Sequence, residues 1–222
     1  MDFKFTEEEE AFRSELSAWL VNELANVTNS QKQDPEKNWE FTLNMRQKLS
    51  QKGWLTMAWP EEYGGQNASH MMQVIFAEEM SYNRAPGRDI FGTRMMAPTL
   101  MIHGTEEQKR EFLPPVSKGE VQWCQGYSEP ESGSDLASLQ TRAVEDGDDF
   151  VVSGSTIWNS AHADSDWMFM LVRTEPDAPK HRGISFVLTE LEGQEGVTIE
   201  KIPMMWDAYR GLVTFDNVRV PK

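Results

Sequence analysis

The sequence predicts an α+β protein: an all-helical amino-terminal domain over residues 1–119, followed by a small antiparallel β-barrel or sandwich domain over residues 120–222. Three observations predict it. Helical spacing of apolar residues and helix-capping patterns fill the first half. Short apolar or alternating runs fill the second, where strands are expected. A length of 222 residues exceeds the usual single domain of roughly 100 to 150 residues, so two domains are expected.

The first helix starts at Thr6, with Glu9 three residues on, a capping box that satisfies two backbone donors. Phe12, Leu16, Trp19, Leu20 and Leu24 then mark one buried face. A second helix is expected from about Glu36 to Lys52, built on Trp39, Leu43 and Leu49 and stopped by Gly53. Pro60 and Gly64-Gly65 mark a loop. Helical patterning resumes from Met71 to Met80 and again from about Met95 to His103, where Gly104 ends it. Thr105 and Gln108 form another capping box, and that helix is expected to end at Pro114-Pro115, because proline has no N–H to continue the ladder. After Gly119, strands are expected at Val121–Gln125, Leu139–Val144, Phe150–Val152, Trp167–Val172, Ile184–Leu188 and Val213–Val218. Asp146-Gly147 is a hairpin signal.

Composition narrows the function classes. A net charge of −15 argues against nucleic-acid binding, which needs a basic face to neutralise phosphates. No apolar run of about 20 residues exists to insert into a membrane, and Glu7 to Glu10 stand where a signal peptide would be basic and then apolar. The single Cys124 excludes an intrachain disulfide and leaves no thiolate set for a structural zinc, so a cytoplasmic, reducing setting is expected and no metal site.

Two segments carry chemistry. The first, Gln125-Gly126-Tyr127-Ser128-Glu129-Pro130-Glu131-Ser132-Gly133-Ser134-Asp135, follows an apolar strand and has the make-up of a polar loop that exposes its backbone. Pro130 fixes a turn, Gly133 permits close approach, and Ser128 and Ser134 offer hydroxyls to a flat heterocycle or a phosphate. Read alone it is equally a surface turn with an acidic cap. The second, Gly154 to Asp164, sets Trp158 at a strand end beside Asn159 and Ser160, where it could lie against an aromatic cofactor or simply pack in the core. Cys124 and His162 suggest a nucleophile and base, but no third orienting group stands at a fixed spacing, and a buried structural cysteine is the simpler reading.

Together these segments resemble the acyl-CoA dehydrogenase family. Ser128-Glu129-Pro130 with Gly133-Ser134-Asp135 looks like its Thr-Glu-Pro-x-x-Gly-Ser-Asp signature. The likeness continues through Gly53-Trp54-Leu55, Pro60 to Gly65, Gly104 to Lys109, Leu113-Pro114, Gly119-Glu120 and Trp158 to Asp164, in the family's order. Serine stands for the signature threonine at Ser128, and Glu131-Ser132 replace the usual small residues, which puts the path of CoA in doubt. Asn159 and Ser160 stand where many members carry an apolar residue and threonine.

The resemblance implies a middle β domain after the helical one, then a four-helix third domain that is absent from this chain, with FAD held between the middle and last domains. It implies that Gln125, Tyr127, Ser128, Gly133 and Ser134 line the flavin. Ser128 would bond the isoalloxazine edge, and Ser134 would lie near the pyrophosphate or the acyl-CoA substrate. Trp158 would pack on the ring, with Asn159 beside it and Ser160 bonding the polar edge. In the family reaction a carboxylate of the third domain takes the α proton of an acyl-CoA thioester and the flavin accepts the β hydride, giving a 2,3-enoyl-CoA. No catalytic residue is therefore assigned in this chain, which is expected to be a truncated form, a proteolytic product or a naturally shortened subunit. Glu129, inside the signature turn, reads as structural. The implied partners are acyl-CoA, an electron-transferring flavoprotein and further copies of the chain in a homodimer or homotetramer. Two alternatives stay open: an acyl-CoA oxidase, marked by peroxide formation, and a non-catalytic acyl-CoA- or partner-binding module, marked by the lack of flavin.

Overall fold

Helix α1, Glu7–Leu24, begins at the capping box the sequence predicts: the Glu9 amide donates to Thr6 Oγ1 at 3.3 Å and the Thr6 amide to Glu9 Oε2 at 2.8 Å. The computed structural model describes residues 4–25, 27, 35–161, 165–205 and 209–222, and the chain divides into two units, Met1–Glu120 and Val121–Lys222. Helices α2, Pro35–Gln51, and α3, His70–Tyr82, join α1 around a core of Leu16, Leu20, Met45, Leu49, Phe76 and Met80. Burying each such side chain is worth roughly 1.5–3 kcal/mol. Trp54 seals one side, meeting Phe12 and Trp19 edge to face with ring centroids 5.8 and 5.4 Å away.

Past α3, a helical stretch opens at Ile90, widens into a π turn at Gly92–Met96 and continues as α4, Ala97–His103. The cause lies in the sequence. The ring of Pro98 would strike the carbonyl of Arg94 in a regular α-helix, and Pro98 has no N–H to offer. The ladder therefore shifts, with the Ala97 amide bonding the Gly92 carbonyl. Trp59 Nε1 donates to the Thr93 carbonyl at 2.8 Å, in a buried position that the helix leaves for it.

Helix α5, Glu106–Lys118, corrects one expectation. Its Thr105–Gln108 capping box is present, but the helix runs through Pro114-Pro115 instead of stopping there. Gly119, at φ +70°, ends it: the Gly119 amide bonds the Val116 carbonyl at 3.0 Å and the Glu120 amide the Pro115 carbonyl at 2.9 Å. This left-handed glycine cap sets the true terminus, and Pro114 and Pro115 forgo the ladder bonds to the Arg110 and Glu111 carbonyls without ending the helix.

The second unit is one sheet of seven strands: β1 Trp123–Gly126, β2 Arg142–Asp146, β3 Asp149–Asn159, β4 Trp167–Arg173, β5 Ile184–Glu190, β6 Val197–Pro203 and β7 Tyr209–Pro221. Most pairings are antiparallel, but β1 runs parallel to β4, from Trp123 opposite Trp167 to Gly126 opposite Met170. The long connection between those two strands allows this, since it carries the β2–β3 hairpin. That hairpin turns at Gly147, φ +65°, as Asp146-Gly147 predicts. Strand β6 is absent from the sequence reading because it is a largely exposed edge strand with little apolar face. The core is Cys124, Val152, Met168, Met170, Val213 and Phe215. Among the described residues no helix is long and apolar enough to cross a membrane.

Candidate functional site

The carboxyl ends of β1 and β3 lie side by side and bring the two chemistry-bearing segments together. The Ile157 amide donates to the Ser128 carbonyl at 2.7 Å, and Asn159 Nδ2 donates to the Gln125 carbonyl at 2.7 Å. Asn159 is buried, and its Oδ1 accepts from Thr156 Oγ1 at 3.2 Å. Its amide therefore works as a strut between strands. Tyr127 packs edge to face on Phe169 of β4 at 5.8 Å, and burial pushes its phenol up, against a hydrogen bond with Gln125 that lowers it.

Glu129 shapes the loop that follows. It is buried, and its two carboxylate oxygens accept the Gln140 amide at 2.7 Å and the Thr141 amide at 2.6 Å. Across the turn Glu129-Pro130-Glu131-Ser132, the first and last residues exchange backbone bonds of 2.7 and 3.2 Å. Ser132 Oγ donates to the Asp135 carbonyl at 2.8 Å, and Lys180 pairs with Asp135 at 2.9 Å, which holds that carboxyl below its usual range. The turn is thus fixed from inside, with a carboxylate that has no free oxygen for chemistry.

Around this frame the remaining residues are open. Ser128 is half-buried and its hydroxyl has no hydrogen bond among the described residues. Gly133 and Ser134 are exposed, and a Cβ added to Gly133 would meet nothing within 4 Å. Ser160 is half-buried. Trp158 is 55% exposed, and its backbone sits at φ +64° in a bulge where β3 shifts register against β7 between Ile157 and Asn159. A bulky residue in the left-handed region costs on the order of 1–3 kcal/mol and persists only where its surroundings impose it. An indole turned out on a strained bulge, an unengaged hydroxyl and an open glycine backbone form an edge that a flat, polar-rimmed group such as an isoalloxazine fits. Gln125, Tyr127 and Asn159 also brace this edge through the Asn159–Gln125 bond and the Tyr127–Phe169 ring contact.

Burial pushes the Cys124 thiol up to about 12, so it is not a nucleophile at neutral pH. His162, with Ala163 and Asp164 of the second motif, lies outside the described residues. No group of three metal-binding side chains occurs among the described residues. The sequence reading missed Thr156, Ile157 and Phe169, which hold the edge from behind. The alternation of β3 could have placed Thr156 inward beside Asn159, but no local signal marks Phe169, which arrives through the β1–β4 register.

Comparison with known proteins agrees in both halves. The acyl-CoA dehydrogenase N-terminal domain matches residues 6–120 and the middle domain residues 124–218. The chain is 39% identical over 217 residues to the acyl-CoA dehydrogenase IpdE1 of Mycobacterium tuberculosis, covering 95% of this chain and 56% of that protein. It is 36% identical over 227 residues to the acyl-CoA dehydrogenase FadE26 of the same organism, covering 100% of this chain and 56% of that protein. Among solved structures, the ChsE4-ChsE5 complex from Mycobacterium tuberculosis superposes with a TM-score of 0.89 at 36% identity, covering 100% of this chain and 56% of that one. The chain therefore spans about half the length of the curated relatives it matches. With both domain types matched in order along nearly its whole length, the chain belongs to the acyl-CoA dehydrogenase family.

Proposed function

We propose that the intact protein is an FAD-dependent acyl-CoA dehydrogenase that converts an acyl-CoA thioester to a 2,3-enoyl-CoA. Residues 1–119 would form its helical domain and residues 120–222 its flavin-contacting β domain. One observation carries the reading: Ser128 and Trp158 are joined through the 2.7 Å bond from the Ile157 amide to the Ser128 carbonyl, and both stay accessible on one edge. Bound there, FAD would supply the two-electron acceptor.

The chain's own residues have separable tasks in this reading. Trp158 covers the flavin ring and excludes water from one face. Ser128 and Ser160 offer hydroxyls to its polar rim, and Ser134 and the Gly133 backbone lie where a pyrophosphate or the acyl-CoA could approach. Gln125, Tyr127 and Asn159 would line the flavin while the Asn159–Gln125 bond ties β1 to β3. Glu129 holds the turn through Gln140 and Thr141, and no catalytic residue is proposed in this chain. An electron-transferring flavoprotein as acceptor, a homodimer or homotetramer, and a cytoplasmic location complete the proposal. The family membership and the implied chemistry support them.

The test is a panel of acyl-CoA thioesters assayed with an artificial electron acceptor on the full-length protein. Flavin-dependent enoyl-CoA formation is the expected result. Stoichiometric peroxide would point to an oxidase, and protein purified without flavin and unable to bind it would overturn the reading.

A further inference from the structure

The chain that leaves the signature turn is gripped by two opposite charges. Glu129 takes the Gln140 and Thr141 amides, and the Arg173 guanidinium takes carbonyls of the same stretch, its Nη2 donating to Ala137 at 2.7 Å and to Leu139 at 3.3 Å. Arg173, half-buried at the end of β4, is itself set by its backbone, whose amide donates to the Thr141 carbonyl at 2.7 Å. Its Nη1 reaches the other way and donates to the Lys180 carbonyl at 2.6 Å, in the β4–β5 loop. That loop is closed on itself: the Thr174 and Glu175 amides donate to the Gly183 carbonyl at 3.0 and 3.3 Å, and the Thr174 and Ser185 hydroxyls meet at 2.7 Å. One planar guanidinium therefore joins two loops across three carbonyls, a span that a single ammonium cannot reproduce. Lys180, held by its carbonyl, pairs with Asp135 from the same loop. Gly133 and Ser134 lie exposed between Glu129 on one side and Arg173 on the other, so both ends of this short segment are fixed.

We propose that Arg173 is a positioning residue for the dehydrogenation: it holds Gly133 and Ser134 in the conformation that receives the pyrophosphate of the acyl-CoA substrate. This deepens the function proposed above and rests on it. A segment left loose must be ordered when the ligand arrives, which costs affinity, and a clamp in the free protein removes that cost. The charges act in the same sense. Glu131 and Asp135 flank Gly133 and Ser134 and repel an anion, while Arg173 and Lys180 bring two positive charges to the same turn. The ring-facing residues do not depend on this clamp, because the Ile157–Ser128 and Asn159–Gln125 bonds brace Ser128 and Trp158. Loss of Arg173 is thus felt at the phosphate end of the site alone.

The test uses the full-length protein and an artificial electron acceptor, comparing an acyl-CoA with the acyl-pantetheine that carries the same acyl group and no phosphate. In Arg173→Met, KM for the acyl-CoA should rise roughly tenfold or more, with kcat within about twofold, while KM for the acyl-pantetheine and the flavin content stay at wild-type values. Arg173→Lys keeps the charge without the fork, and its KM for the acyl-CoA should lie between those of wild type and Arg173→Met. An unchanged KM for the acyl-CoA in Arg173→Met would overturn the proposal, as would an equal rise for both thioesters, which marks a general loss of structure. Lowered flavin content with unchanged KM would overturn it too, by assigning the segment to the cofactor's pyrophosphate. Where Arg173→Met does not fold, Arg173→Lys decides alone: a rise confined to the acyl-CoA supports the clamp, and a wild-type KM contradicts it. If wild type dehydrogenates neither thioester, the proposed function fails instead, and the two failures are distinct.

Discussion

The two strand ends of the β unit and the π turn of the helical unit solve the same problem by opposite means. In the β unit the backbone is locked by polar struts, with Glu129 bonding two amides and Asn159 bridging two strands, and the groups left over face outward. In the helical unit a proline disrupts the ladder and an indole from elsewhere repairs it, leaving charged side chains at a cavity. The lesson concerns where rigidity comes from. A buried carboxylate can hold a loop still, and a helix irregularity can aim side chains that a regular helix would not.

The largest expected effect breaks the β-unit half of this contrast. Glu129→Ala should strip acceptors from two backbone amides and lower the unfolding free energy by about 3 kcal/mol, measured by denaturant titration. Glu129→Gln, which keeps one acceptor, should cost less. A change below 1 kcal/mol in Glu129→Ala would show that the carboxylate is not the strut described. Next, Trp59→Phe should leave the Thr93 carbonyl buried and unpaired and cost about 2 kcal/mol. The double variant with Pro98→Ala should recover part of this loss, since an N–H at position 98 could then serve that carbonyl. Simple additivity of the two changes would sink the account of the π turn.

A smaller effect concerns the thiol. Because Cys124 titrates near 12 in the folded protein against 9.0 for an ordinary thiol, its contribution to stability is complete below pH 9 and is lost as pH rises from there toward 12. The unfolded chain loses the proton first, so stability should fall by about 1.4 kcal/mol per pH unit in that window from this group alone. Cys124→Ala should flatten that part of the alkaline slope, and native protein should resist a thiol reagent at neutral pH.

Much of this was legible in the sequence, and the exceptions share a cause. Both capping boxes, the Gly147 hairpin and the Ser128 to Asp135 loop are encoded within a few neighbouring residues, and those are the parts that patterns reveal. The outward indole of Trp158 depends on how β3 slips against β7, and no short window of sequence contains that register. Strand β6 carries too little apolar alternation to announce itself. Helix α5 continues through Pro114-Pro115 because Gly119, not proline, supplies the cap. Pro98 lies inside the stretch expected to be a regular helix from Met95 to His103, and the π turn there is completed by Trp59, a contact between distant residues.

The central claim is that the β-unit edge holds a flavin through Trp158, and one variant tests it directly. Trp158→Gly relieves the positive φ while adding chain entropy to the unfolded state, so the unfolding free energy should stay within about 1 kcal/mol of wild type. Flavin retained by the purified full-length protein, read from its visible absorbance, should meanwhile fall to a minor fraction. Full flavin occupancy in this folded variant would contradict the account.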